Sequence, residues 1–319
     1  MKKVRFIYNP SSGETQVTER LDEVVSIYQS HGFALSLYRL TFEGNYAHDM
    51  LAGLDDTFHH VLIAGGDGTV NFVVNQLKKA KIEIPIAILP TGTANDFASA
   101  LGIPSDPAIA CRSLLEGDIR QVDLGRVNGE YFVNVFSCGL FSDISQKTPT
   151  ILKNTFGRLA YYVSGIGEIA KIRKMNVTIR TDGGDFEGSS LVFFVFNGKT
   201  AGQLRLAYLS EVDDGLLDLI IVKGDSPLET VRTIFQYFFL MGQTALPRKP
   251  KAYPTGVIHI RCSRIEAATD QPEPTDMDGQ TGPDFPLEIS CEVGALQILL
   301  PKSRKTQENR KTLLPLRGK

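Results

Sequence analysis

Five residues constrain this chain more than any others: Gly65-Gly66-Asp67-Gly68-Thr69. Before them runs the apolar stretch Val61-Leu62-Ile63-Ala64, which reads as a buried strand. After them Val70, Val73, Val74 and Leu77 recur at helical spacing. A glycine-rich turn therefore joins a strand to a helix. Such a turn aims free backbone N–H groups and the positive end of a helix dipole at one point, which suits a phosphate. Asp67 is the odd member, because a carboxylate beside phosphate oxygens is repelled unless a cation lies between them. The economical cation is Mg²⁺, held partly through water. The plainer alternative is a tight strand–helix turn that binds nothing.

Two more loops of the same kind follow strand-like runs. Val4–Tyr8 leads into Asn9-Pro10-Ser11-Ser12-Gly13, and Ile84–Leu89 leads into Pro90-Thr91-Gly92-Thr93-Ala94-Asn95-Asp96. Between them lie a helix face marked by Val17, Leu21, Val24, Val25 and Tyr28, a strand over Phe33–Leu40, and a short helix after a polar loop at Thr41. Alternating strands and helices predict a parallel, doubly wound α/β sheet. In such sheets the loops at the carboxyl ends of the strands share one edge, where ligands bind. Asn9–Gly13, Gly65–Thr69 and Thr91–Asp96 are thus expected to converge on one ligand.

Near residue 120 the pattern changes. Gln121–Val127 and Glu130–Ser137 read as two strands joined by Asn128-Gly129, a two-residue hairpin signal. Val177–Arg180, Leu191–Phe196, Leu216–Val222, Val257–Ile260 and Leu287–Val293 read as further strands, interrupted by helical stretches at Asn154–Lys174 and Pro227–Gly242. The expected architecture is a nucleotide-binding α/β domain over 1–125, then a mostly antiparallel β-sandwich over 126–294. Residues 295–319 are expected to return to the first domain through Leu296–Leu300 and to end in a basic tail, in which Glu308 is the one acid.

Composition narrows the class of function. A formal net charge of −2 argues against a dedicated nucleic-acid binder. Cys111, Cys138, Cys262 and Cys291 lie far apart without ligand-like spacing, so reduced buried thiols in a cytoplasmic protein are expected, and no zinc site. The most apolar window, Ile234 to Leu246, contains Gln236, Gly242 and Gln243 and falls short of a membrane span. No histidine or cysteine reads as catalytic.

Taken together, Asn9–Gly13, Gly65–Thr69 and Pro90–Phe97, with Asp123-Leu124-Gly125, Asn134, Gly139, Asp213–Leu216 and Asp278-Gly279, resemble the bacterial diacylglycerol kinase and lipid kinase family. The resemblance covers nearly the whole chain. It implies a nucleotide domain followed by a β-sandwich, with ATP and Mg²⁺ in the cleft between them. It places Asn9, Pro10, Ser11, Ser12, Gly13, Thr41, Gly65, Gly66, Asp67, Gly68, Thr69, Val70, Asn71 and Thr93 about the nucleotide. It makes Asp67, Asp96 and Asp123 an acidic group that organises Mg²⁺. Read from the residues alone, Asp96 could instead cap the helix beginning at Phe97, and Asp123 could be a turn residue at a strand end. The resemblance also implies a second, structural Mg²⁺ site from Glu211, Asp214 and Leu216, with Asp214 giving the carboxylate; an ordinary Asp-Gly turn is the alternative there.

One departure bears on chemistry. Where the family has Asp-Gly-Glu, with the glutamate as general base, this chain has Asp278-Gly279-Gln280. An amide cannot take a proton at useful pH; it can only orient a hydroxyl. General-base help is worth about 10²–10⁴ in rate, whereas phosphoryl transfer rests mostly on positioning and electrostatics. Asp278 or Asp67 could serve instead. The expected function is thus transfer of the γ-phosphate of ATP to a lipid hydroxyl, with diacylglycerol as the first acceptor and Asp67, Asp278 and Gln280 as catalytic candidates. The rivals are a kinase for a sphingoid base, phosphatidylglycerol or NAD, and a binder of nucleotide and lipid without chemistry. Glu14, after the first loop, and the short Asn197–Gly202 loop are smaller departures. A lipid acceptor implies peripheral contact with the inner face of the membrane, through the basic tail or Ile234–Leu240; a homodimer is compatible with everything above.

Overall fold

A computed structural model describes residues 1–13, 17–41, 46–139, 174–202, 204–224 and 253–302, with Arg232, Thr233, Gln236 and Tyr237 between the last two spans. Residues 154–173, most of Pro227–Gly242 including most of Ile234–Leu240, the tail beyond Lys302, and Glu14 lie outside the described residues.

The first half is the expected alternation. Strand β1 (Lys2–Tyr8) pairs in parallel with β2 (Phe33–Arg39) on one side and β3 (Phe58–Gly65) on the other. Strand β4 (Ile86–Pro90) extends β3, again in parallel. Helices α1 (Leu21–Ser30), α2 (Tyr46–Leu51) and α3 (Asp67–Lys79) connect them, and α4 (Asp96–Ala100) follows β4. The order β4-β3-β1-β2 puts a topological switch between β1 and β3. The chain leaves β1 toward one edge of the sheet and leaves β3 toward the other, so the loops after them part and open a crevice. A fifth helix, α5 (Pro107–Leu115), went unread in the sequence although its start is marked. Asp106 caps it by accepting from Ile109 N at 2.9 Å, and Pro107 sits in its first turn.

The second half is antiparallel. Strands β5 (Asp118–Val127) and β6 (Glu130–Phe132) form the hairpin at Asn128-Gly129, both with positive φ, as a type I′ turn requires. Strands β7 (Val135–Gly139), β8 (Met175–Thr181), β9 (Phe186–Phe196), β10 (Leu217–Lys223), β11 (Val257–Cys262), β12 (Arg264–Thr269), β13 (Thr275–Met277) and β14 (Gln280–Thr281) follow. Leu217, Leu219 and Ile221 of β10 point into a core shared with Phe136, Phe193 and Ile265, while Ile220 and Val222 belong to a second cluster on the opposite face with Phe194 and Tyr237. Glu130–Ser137 is not one strand, as the sequence suggested. It breaks at Val133 and Asn134, for a reason that belongs to the site.

Strand β15 (Leu287–Leu300) joins the halves. Its first residues pair with β12, its last lie beside β4 at Ile298↔Ile86, and β5 runs antiparallel along both parts. All of these strands form a single sheet of fifteen among the described residues. Cys111, Cys138 and Cys262 are buried and all four thiols are free.

Candidate active site

The three glycine-rich loops meet. Asn9 links the first two: its side-chain nitrogen donates to Thr69 Oγ1 at 3.0 Å and its oxygen accepts from Ser11 N at 3.0 Å. The second and third touch through backbone. A Cβ placed on Gly92 would lie 2.3 Å from Gly66 Cα, so no side chain fits at that crossing. Gly13 adds a left-handed φ of +71°, and a Cβ there would meet the Thr91 carbonyl at 2.1 Å. Glycine was read in the sequence as room for an anion; in the fold it is first room for the loops to reach one another. No side chain caps α3 at Gly66, so the first amides of the helix are left for an anionic ligand.

Asp67 turns from this crossing toward α4. Its carboxylate accepts from the backbone N–H groups of Asp96 and Phe97, each at 3.0 Å. It therefore caps a helix from a distant element, the part that sequence reasoning offered to Asp96. The residue before α4, Asn95, takes a left-handed φ of +53° and makes no cap; its side chain instead bridges Gly92 N (2.8 Å) and Gly92 O (2.7 Å). The Asp67 side chain keeps some exposed surface, yet protein atoms crowd its carboxyl. Burial, and then the nearby Asp96 carboxylate, push its pKa up to about 6 against the pull of the two N–H donors. Asp96 is itself buried and accepts from Gly202 N at 2.6 Å, which ties the third loop to the second domain.

Asp278 sits at the opposite wall. It is buried, with a left-handed φ of +50°, and its carboxylate takes the backbone N–H groups of Val133 (2.7 Å), Asn134 (3.1 Å) and Val135 (2.8 Å) and the Asn71 amide (2.8 Å). These donors are what breaks β6 from β7: three successive amides abandon the ladder to face one acid. Burial raises the Asp278 pKa to about 7 despite that cage. Asn71, expected beside the nucleotide, spends its amide on Asp278 and on the Tyr131 carbonyl at 2.8 Å, clasping α3 to the second domain. Val70 is core, 2% exposed, and its backbone N–H donates to the Gly66 carbonyl at 3.1 Å. Gln280 is exposed and donates from Nε2 to the Gly68 carbonyl at 3.2 Å. Thr41 is exposed, two residues beyond the end of β2 and directly after the buried Leu40. Beside Thr93 and Asp96 a cavity of about 630 Å³ opens between α4 and the second domain, with Lys199 and Arg205 in its wall.

The remaining predicted residues form a separate group. Asp123, 1% exposed, accepts from Gly215 N and Gly294 N, both at 2.7 Å. It pins two turns and does not touch the Asp67 loops. Asp214 accepts from Leu216 N at 3.1 Å with one oxygen and from the Arg261 guanidinium with the other. Burial holds the Asp214 pKa above its ordinary value; the Leu216 N–H and Arg261 pull it down, while Asp218 and Asp123 add to the rise. Glu211 pairs with Lys199 at 3.1 Å. The donors about the three loops, hydroxyls and helix amides with the Asp67 carboxylate behind them, fit a triphosphate and a hydrated cation. The Asp214 group fits a cation poorly as it stands, because the Arg261 guanidinium lies against its carboxylate and would repel one. Among the described residues no cluster of three His, Cys, Asp or Glu side chains could enclose a metal ion.

Comparison with known proteins agrees with this organisation. Residues 3–127 match the diacylglycerol kinase catalytic domain, and 135–300 match the YegS C-terminal NAD kinase beta sandwich-like domain. A diacylglycerol kinase of Bacillus subtilis is 30% identical over 309 residues, 96% of this chain and 99% of its own length. One from Staphylococcus saprophyticus is 33% identical over 308 residues, 96% and 98% of the two chains. The crystal structure of a diacylglycerol kinase from Bacillus anthracis superposes with a TM-score of 0.73 at 24% identity, covering 94% of this chain and 97% of that one, and shares the fold.

Proposed function

The chain belongs to the diacylglycerol kinase family, and we propose on that footing that it transfers the γ-phosphate of ATP to the hydroxyl of diacylglycerol at a membrane surface, with Mg²⁺ required. The observation that carries the reading is the bond of Asn9 to Thr69 at the switch point of the sheet, with the crossing of Gly66 and Gly92 beside it. Three loops remote in sequence thereby present hydroxyls and helix amides at one rim. When bound, Mg²⁺ supplies neutralisation of the charge on the phosphates.

The protein's own groups divide the remaining work. Asp278 is caged by four donors, and a proton placed on it would set an O–H against N–H groups. It is a poor base and a good clasp. Asp67 lies beside the glycine loop, and a pKa of about 6 leaves it ionised at neutral pH. We assign it the proton of the acceptor hydroxyl. Gln280 spends one amide hydrogen on Gly68, which leaves the other to donate to the oxygen of that hydroxyl and orient it. No helix among the described residues is long and apolar enough to cross a membrane.

The test is a lipid-panel phosphorylation assay read by mass spectrometry, with ATP, Mg²⁺ and diacylglycerol, a sphingoid base, phosphatidylglycerol and NAD as acceptors. Phosphatidate is the expected product; phosphorylation of NAD alone refutes the lipid assignment. Gln280 specifically favours a second reading, a binder of nucleotide and lipid without transfer. That reading wins if no acceptor is phosphorylated by the natural chain while Gln280→Glu restores transfer.

A further inference from the structure

We infer that Arg261 takes the place of the structural divalent cation at the Glu211–Leu216 turn, so that a cation fixed in the chain closes this turn without metal. The placement follows from strand register. Asp218 of β10 pairs with Arg261 of β11, and alternation along both strands puts their side chains on the same face of the sheet. Asp214 lies just before β10, at the end nearest Arg261. The guanidinium therefore reaches both carboxylates: one nitrogen contacts Asp214, and Nε lies 3.9 Å from Asp218. Asp218 is fully buried, its other contact being His259 Nε2 at 2.5 Å.

Three features favour the arginine over an ion. The Asp214 oxygen not used by Leu216 N is the one the guanidinium holds, and a hard cation needs that oxygen at about 2.0–2.6 Å. A metal sharing that carboxylate would stand against Arg261, which is always charged, and be repelled by it. Lys199, paired with the Glu211 side chain, adds a second positive charge at the start of the turn. The turn is also fixed from behind, since Asp123 holds Gly215 N and accepts Gly294 N across from it. The geometry a metal would impose is thus set by hydrogen bonds and one internal charge.

Thermal unfolding of the full-length, nucleotide-free protein in excess MgCl₂ and in EDTA tests this. The natural chain should show the same Tm in both. Arg261→Ala should unfold about 5 °C lower in EDTA and recover when Mg²⁺ is added, because the bared Asp214 then takes the ion. Electron paramagnetic resonance of Mn²⁺ gives a second readout that does not depend on the variant's folding. Titrated into the natural chain and into Asp214→Asn, Mn²⁺ should bind equally to both. The inference is overturned if EDTA lowers the Tm of the natural chain and Asp214→Asn removes that response. Stronger Mn²⁺ binding by the natural chain than by Asp214→Asn also overturns it. So does an Arg261→Ala protein that loses stability and gains none of it back from Mg²⁺, which would make Arg261 an ion-pair partner and not a substitute for a metal.

Discussion

The two carboxylate groups of this protein, one around Asp67 and one around Asp214, are built to opposite ends. Asp67 is bonded only to backbone amides and has no cationic side chain on it among the described residues. Its charge is tolerated at the cost of a pKa raised to about 6. Asp214 and Glu211 each carry a cationic partner. The first group is left short of positive charge, which is the state of a site that waits for a ligand. The second is satisfied from within. Sequence reading treated both as metal-organising acids, since an Asp in a Gly-containing turn looks the same in either setting. What separates them is which neighbour a distant strand brings alongside.

The sharpest way to break this contrast is Asp67→Asn. It should lower turnover by about 10²-fold or more. The capping bonds to α4 are half kept, so the fold should survive with a loss of about 1–3 kcal/mol; kinetics beside near-ultraviolet circular dichroism would separate the two effects. Unchanged turnover would remove Asp67 from the chemistry and leave it a helix cap. Next in size is Asp278→Ala. It strands three backbone amides and the Asn71 side chain at the domain junction, and should cost about 3 kcal/mol in urea unfolding. A loss of less than about 1 kcal/mol would mean that water replaces the acid readily and that the junction is wetter than its burial implies.

Gly92→Ala comes third. Its Cβ would collide with Gly66 backbone, a strain of about 1–3 kcal/mol. The crossing must open to relieve it, so the KM for ATP should rise more than kcat falls. The smallest effect is at the other group: Glu211→Gln removes a half-exposed pair and should change stability by less than about 1 kcal/mol.

The pH dependence should report on the first group. The folded pKa of Asp67 lies above the unfolded value of about 3.9. Between roughly pH 4 and 6 the folded state therefore holds a proton that the unfolded chain has released. By linkage this group's contribution to stability is present at the acid end and is lost as pH rises through about 6. Turnover has the opposite slope, since a base works only when ionised, and it should fall as pH drops below about 6. Asp67→Asn should flatten both curves in that window. Equal slopes in the variant and the natural chain would assign the titration elsewhere, with Asp278, near 7, as the first alternative.

Much of the first domain was legible because its signals are local. Apolar runs of strand length ending in Gly, Ser, Thr and Asn predicted the loops, and the hairpin at Asn128-Gly129 was readable from two residues. The helix at Pro107–Leu115 was equally local, with Asp106 and Pro107 as its start signal, and was overlooked beside the stronger glycine motifs. Other features were not readable in principle from short windows. Glu130–Ser137 alternates like a strand, and nothing within it shows that Val133 and Val135 turn their amides to an acid 143 to 145 residues away. Asn71 stands in a nucleotide-binding motif but faces the second domain. Arg261 reads as one more charged residue on an edge strand until the β10–β11 register sets it against Asp218 and Asp214.

Strand β15 has a consequence for how the molecule can be taken apart. Leu287 and Ile289 are buried in the sandwich, and Ile298 and Leu300 in the nucleotide domain, within fourteen continuous residues. A gene fragment ending near residue 130 would make a first half whose β4 has an open flank, ready to stick to another copy. The two halves are thus not interchangeable cassettes. They share a spar made after the other strands of both, so the amino-terminal half must wait, unfinished at one margin, until the ribosome has passed residue 300.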